Sequence, residues 1–226
     1  MDDVSNNPFL IVIIVIVLLV FAALRFHIEK KRREAMARVA AELGLKFDAK
    51  KDRELAKRHN FLDQMAQGGN RYAFNVISGQ YQGYPVVLFD YHYQTTSGIG
   101  KNKRTDHHHF SFFVLHMVTT FPELTIAKEG FWSKVGQALG HDDIDFESHE
   151  FSKRYVVRCD EKRFAYDFCN AQMIEYLLDK QVHGIEVENQ CLGLRYESKM
   201  PVELIEKRLN HLLKIRSLMP TYLFDD

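Results

Sequence analysis

The chain has 226 residues, with 30 Lys and Arg set against 30 Asp and Glu, so its formal net charge is zero. That balance excludes a general nucleic-acid binder, which needs a basic excess to neutralise phosphates. Cys159, Cys169 and Cys191 form no C-x-x-C pair and are too few for a secreted disulfide framework, so they read as buried thiols of a reducing compartment.

Residues 1–7 read as a short external tail carrying Asp2 and Asp3. Phe9 to Leu24 is an apolar run of 16 residues which, as a helix, spans roughly 24 Å of a hydrocarbon core about 30 Å thick. Pro8 suits a first helical turn, Phe26 prolongs the run and Arg25 can snorkel to the headgroups, which sets the transmembrane helix at 8–26. A buried core helix is rarely this rich in Ile and Val on every side. A secretory signal would open on Lys or Arg and close on a small-x-small cleavage site; no Lys or Arg precedes this run and no clean cleavage site follows it. Five basic residues, Arg25, Lys30, Lys31, Arg32 and Arg33, follow the span closely and none precedes it. The positive-inside rule then predicts a single-pass protein of a cell inner membrane, with its carboxy-terminal domain in the cytoplasm. The same five side chains are expected on the membrane surface, each contributing about 1 kcal/mol against an anionic leaflet.

Residues 27–69 read as a juxtamembrane helical linker. A cationic helix over 27–43 aligns Met36, Val39, Ala40 and Leu43 and stops at Gly44; a second, over 52–66, aligns Leu55, His59, Leu62 and Met65. An α+β domain is expected over 70–226. Alternation from Tyr72 to Ile77, a tight turn at Gln82 and Gly83, and the β-branched and aromatic stretch Val86–Tyr93 predict a hairpin. Thr95–Asp106 reads as a mobile basic loop, His108–Thr119 as a third strand, and Leu124–Ala127 as a short edge strand set off by Pro122. A short helix is expected over Phe131–Leu139 and a strand over Phe151–Cys159. Asp160 then caps one helix of about 18 residues with Phe164, Phe168, Ala171 and Leu178 inward. Two strands, Gly184–Glu188 and Cys191–Glu197, are expected to pair across Asn189 and Gln190, and Pro201 opens a last helix burying Val202, Ile205, Leu209 and Leu212. Strands broken by single helices, without βαβ alternation, predict an α+β fold: an N-terminal transmembrane helix, then a mainly antiparallel sheet with helices packed on one face.

Several segments concentrate reactive side chains. In Asp106–His109 only His107 and His109 can share a strand face, which makes them the candidate metal ligands; the alternative is a solvated junction of loop and strand. Asp142, Asp143, Asp145 and Glu147 crowd the segment His141–Glu150, but no glycine gives the turn of a calcium loop, and Ile144 and Phe146 are expected to pack inward. Ser97–Arg104 lacks the spacing of a P-loop, which leaves a basic loop or a contact to lipid headgroups through Lys101, Lys103 and Arg104. Asp90 and His92 share a face of the second strand but have no nucleophile motif beside them. No catalytic residue and no cofactor is assigned.

The stretch Asn75–Tyr93, with Gly79, Tyr81, Gly83, Pro85, Val86, Phe89, Asp90, Tyr91 and Tyr93, and the stretch Asp143–Phe151, with Ile144, Phe146, Glu147, Ser148 and Glu150, resemble a family of bacterial membrane-anchored proteins of unknown function. The resemblance spans about residues 38–218. It implies a bacterial cell envelope and carries over no catalytic residue, ligand or partner. The sequence therefore predicts a binding or assembly domain at the cytoplasmic membrane surface, with the lipid bilayer and a protein as partners. The alternative is a membrane-tethered hydrolase or metal-dependent enzyme built on Asp90, His92 and the triplet His107, His108 and His109.

Overall fold

The computed structural model describes residues 8–59, 62–98, 102–128, 143–180, 182 and 184–225. Helix α1 (Pro8–Glu42) is one uninterrupted rod of 35 residues, about 52 Å long at 1.5 Å per residue. Its first half is apolar on every side and exposed, and among the described residues it is the one helix long and apolar enough to cross a membrane. Its second half turns amphipathic: Met36 and Ala40 are fully buried, and Val39 and Leu43 pack against the same core. Gly44, at φ +70°, closes the helix where the sequence places its stop, and the Leu45 N–H donates back to the Ala40 carbonyl at 2.7 Å.

Six strands follow: β1 (Lys46–Asp48), β2 (Gly69–Tyr81), β3 (Tyr84–Ser97), β4 (Arg104–Lys128), β5 (Tyr155–Cys159) and β6 (Gly184–Tyr196). They form one antiparallel sheet ordered β1-β2-β3-β4-β5, with β6 on the other edge of β4. The 25-residue β4 is its spine: its first half pairs with β3, its last residues pair with β5, and β6 runs along most of its length. Between the strands lie α2 (Arg53–Arg58), α3 (Asp63–Ala66), α4 (His149–Arg154), α5 (Lys162–Phe168) and α6 (Ala171–Lys180); α7 (Ile205–Leu218) closes the fold.

The sheet buries both faces, which is why Val86–Tyr93 in β3 is buried without a break. On one face Leu88, Phe113, Leu115 and Leu194 meet α1, α5, α6 and α7 through Met36, Phe164, Leu177 and Leu209. This is the thick helical layer expected beside an antiparallel sheet. The opposite face, carrying Phe89, Tyr91, Phe110 and Phe112, is covered thinly by α2 and α3 through Leu55, Leu62 and Met65. Residues 27–69, expected as a linker, thus supply the docked half of α1, strand β1 and the cover of the second face.

Some elements differ from the sequence expectation. The basic loop is shorter, because β3 and β4 stay paired out to Ser97 and Arg104. β4 continues through Pro122, and register shifts around Phe121 absorb a residue that cannot donate to the ladder. β6 does not fold back on itself at Asn189: both of its halves pair with β4, and Asn189, at φ +52°, sits opposite Phe121 where β4 also bulges. Phe151–Arg154 is helical, started by the Ser148 hydroxyl accepting from the Phe151 N–H at 3.4 Å. The long helix after Asp160 breaks in two and its N-cap position falls at Glu161. Asn170 restarts it, accepting from the Met173 N–H at 3.1 Å and donating to the Leu218 carbonyl at 2.9 Å. The expected helix Phe131–Leu139 lies outside the described residues.

Candidate functional site

Where α1 leaves its apolar half, its basic residues divide. Arg25 lies 5.7 Å from the ring of Phe21, Lys30 pairs loosely with Glu34 at 3.9 Å, and Lys31 and Arg33 are exposed. Arg32 turns the other way, into the sheet: its Nη2 is 2.8 Å from Asp90 Oδ2 and 2.7 Å from the Met200 carbonyl. Asp90 also accepts from the Met200 N–H at 2.7 Å and from Asn75 Nδ2 at 2.9 Å. A bulge in β2 aims Asn75 at it, with φ +51°, a conformation that Asn tolerates. Asp90 and Asn75 are wholly buried, and an arginine and two N–H donors offset the cost of taking this carboxylate out of water.

About one turn earlier, Glu29 accepts from Lys199 at 3.0 Å. Burial pushes the Glu29 carboxyl up, but the Lys199 bond and the charges of Lys199, Arg32 and Arg33 outweigh it and leave its pKa below the ordinary value. These two links fasten α1 to the segment between β6 and α7. Arg32 follows Phe26 by six residues, so the sheet is fastened about 9 Å along the helix from the end of the apolar span.

His107 and His109 share a strand face, as expected, and His92 joins them. His92 Nδ1 donates to the Asn70 carbonyl at 3.1 Å, so its Nε2, 3.0 Å from His107 Nδ1, is the accepting nitrogen of that contact. His92 also stacks on Tyr72 with ring centroids 4.5 Å apart, and His109 meets Phe74 edge-on at 6.2 Å. His108 points to the opposite face and stacks on Tyr93. Burial lowers the pKa of both His92 and His109, and neighbouring charges, His107 and Lys51 for the first and Lys199 for the second, lower it further. Asp90 and His92 share a face without bonding each other: one is held by Arg32, Asn75 and Met200, the other by Asn70 and His107.

A second group of donors lies on the thinly covered face. His59, at the end of α2, donates from Nδ1 to the Leu55 carbonyl at 3.1 Å. His116 on β4 is the register partner of Cys191 on β6, with Nδ1 3.5 Å from Sγ. The ligand atoms of these three residues lie within 4.8 Å of one another. They line a cleft of about 580 Å³ whose walls also carry Lys50, Asp52, Arg58 and Val87. Burial lowers the pKa of His59 and His116 and pushes the Cys191 thiol up to about 11. The sequence offered no spacing to find this cluster, because positions 59, 116 and 191 meet only through the pairing of β4 with β6 and the seating of α2.

No family model matches the sequence, and no curated protein matches it. Among solved structures the fold is similar to the crystal structure of the mycobacterial trehalose monomycolate transport factor A, TtfA, with a TM-score of 0.58 at 16% sequence identity, covering 82% of this chain and 90% of that chain. A likeness at that identity is one of fold.

Proposed function

We propose that this chain is a single-pass membrane-anchored binding or assembly factor whose folded part works at the cytoplasmic surface of a bacterial inner membrane. Residues 8–26 form the span, 1–7 lie outside, 27–69 join the span to the sheet and 70–226 make up most of the α+β domain. The observation that carries this reading is the continuity of α1, exposed and apolar in one half and built into the core in the other. A flexible tether would only localise a domain. A rod fastened by Arg32 and Glu29 also fixes its orientation to the bilayer, which suits a surface that must meet a partner in or beside the membrane. The fold it shares with a protein described as a transport factor is in keeping with a membrane-associated transport or assembly role. Exposed Lys30, Lys31 and Arg33, with Arg25, supply the lipid contact.

Val118 is 93% exposed while Cys159, Cys169 and Cys191 are buried, so Val118→Cys is a clean reporter of sidedness. A membrane-impermeant maleimide is expected to label it in lysed membranes and not in intact spheroplasts. Labelling of intact spheroplasts would overturn the orientation, and recovery of the full chain in a detergent-free soluble fraction would overturn the anchor.

A further inference from the structure

The cleft under α2 brings together three nitrogen and sulfur donors from three separate elements: His59, His116 and Cys191. A tetrahedral zinc ion, with bonds of about 2.0–2.1 Å to nitrogen and about 2.3 Å to sulfur, has ligand-to-ligand edges of about 3.3–3.6 Å. The 3.5 Å between Cys191 Sγ and His116 Nδ1 already equals such an edge. His59, whose ligand atom lies within 4.8 Å of the other two, needs to close by at most about 1.5 Å to complete the triangle. Its orientation is set by the Nδ1 bond to Leu55, which leaves Nε2 as the basic nitrogen, and metal-binding histidines are commonly oriented by such a backbone contact.

The donor set also selects the ion. Two imidazoles and one thiolate suit Zn(II), Co(II) or Cu(I), whereas calcium and magnesium require oxygen ligands. The carboxylates lining the cleft are engaged by backbone: Asp52 accepts from the Leu55 N–H at 2.7 Å and Asp48 from the Lys50 N–H at 2.9 Å. We propose that His59, His116 and Cys191 bind one transition-metal ion of the zinc class and leave its fourth position open to the cleft. Binding converts the Cys191 thiol to a thiolate and releases its proton to solvent. Lys50 and Arg58 on the same walls favour water or a small anion as the fourth ligand.

The test is a cobalt(II) titration of the full-length protein in detergent after stripping with a chelator. One equivalent is expected to bind, with a thiolate-to-cobalt charge-transfer band and the intense visible bands of a tetrahedral ion, and zinc is expected to displace it. Cys191→Ser and Cys191→Ala, two replacements that guard against misfolding of either one, should each abolish the charge-transfer band. His59→Gln and His116→Gln should weaken cobalt binding by roughly tenfold or more. A His107→Gln, His109→Gln double variant should keep the full spectrum. A wild-type protein without the band, a band that survives loss of Cys191, or a band lost with His107 and His109 would each overturn the proposal.

Discussion

Asp90 sits at full burial and joins three parts of the chain that are far apart in sequence: Asn75 in β2, Arg32 in α1 and Met200 before α7. Removing one partner of a buried pair leaves an uncompensated charge, so Arg32→Met is expected to lower the unfolding free energy by about 3–5 kcal/mol. Adding Asp90→Leu to that variant removes the stranded charge and should recover a large part of the loss. A double-mutant cycle from urea unfolding checks this, and simple additivity would refute the coupling. The histidines beside it contribute to the pH response, as do His59, His116 and His211, which burial also holds below the ordinary value. Unfolded histidine takes up its proton near pH 6.5, but burial and neighbouring cations hold His92 and His109 below that value in the fold. Between the two values the native state binds fewer protons, so their contribution is complete above about pH 6.5 and drains away as pH falls through the folded pKa. His92→Gln should therefore flatten the decline of the urea midpoint below pH 6.5 relative to the unchanged protein, and an identical decline would refute it.

At the scale of elements, β4 and β6 bend together, and the joint between them is Asn189 at φ +52° opposite Phe121. A β-branched side chain is strained there, so Asn189→Val is expected to cost about 1–3 kcal/mol while Asn189→Gly stays close to neutral, as read from thermal melts. The same joint explains what sequence could and could not convey. The β2–β3 hairpin was legible because its signal is local: Gln82 and Gly83, at φ +48° and +86°, form a two-residue turn whose second position suits glycine, between two strands of clear pattern. Asn189 and Gln190 look much the same along the chain, yet there the turn chemistry serves a bulge, because β4 offers an edge long enough to pair with both halves of β6. Likewise the spacing of Phe164, Phe168, Ala171 and Leu178 runs through a break: Asn170 caps a new helix instead of extending the old one, and that helix buries Met173 and Leu177 and leaves Ala171 exposed. Arg32 could not be separated from its basic neighbours by sequence, because its assignment depends on a carboxylate 58 positions away.

For the whole molecule, the decisive property is that α1 belongs to two environments at once. Its apolar half is exposed among the described residues, while Met36 and Ala40 belong to the core and Arg32 reaches in to the buried Asp90. The two halves should therefore separate under truncation. A chain beginning at His27 keeps Glu29, Arg32, Met36 and Ala40, loses the exposed apolar surface, and is expected to remain in the soluble fraction with a cooperative thermal transition. A chain beginning at Lys46 strands Asp90 without Arg32 and uncovers part of the apolar face around Ile77 and Leu88, so it is expected to aggregate or melt without cooperativity. If the first truncation also aggregates, the apolar half has a structural duty inside the fold and not in a bilayer. If the second folds as well as the first, the docked half of α1 is an ornament on a sheet that stands without it, and a fixed orientation to the membrane loses its physical basis.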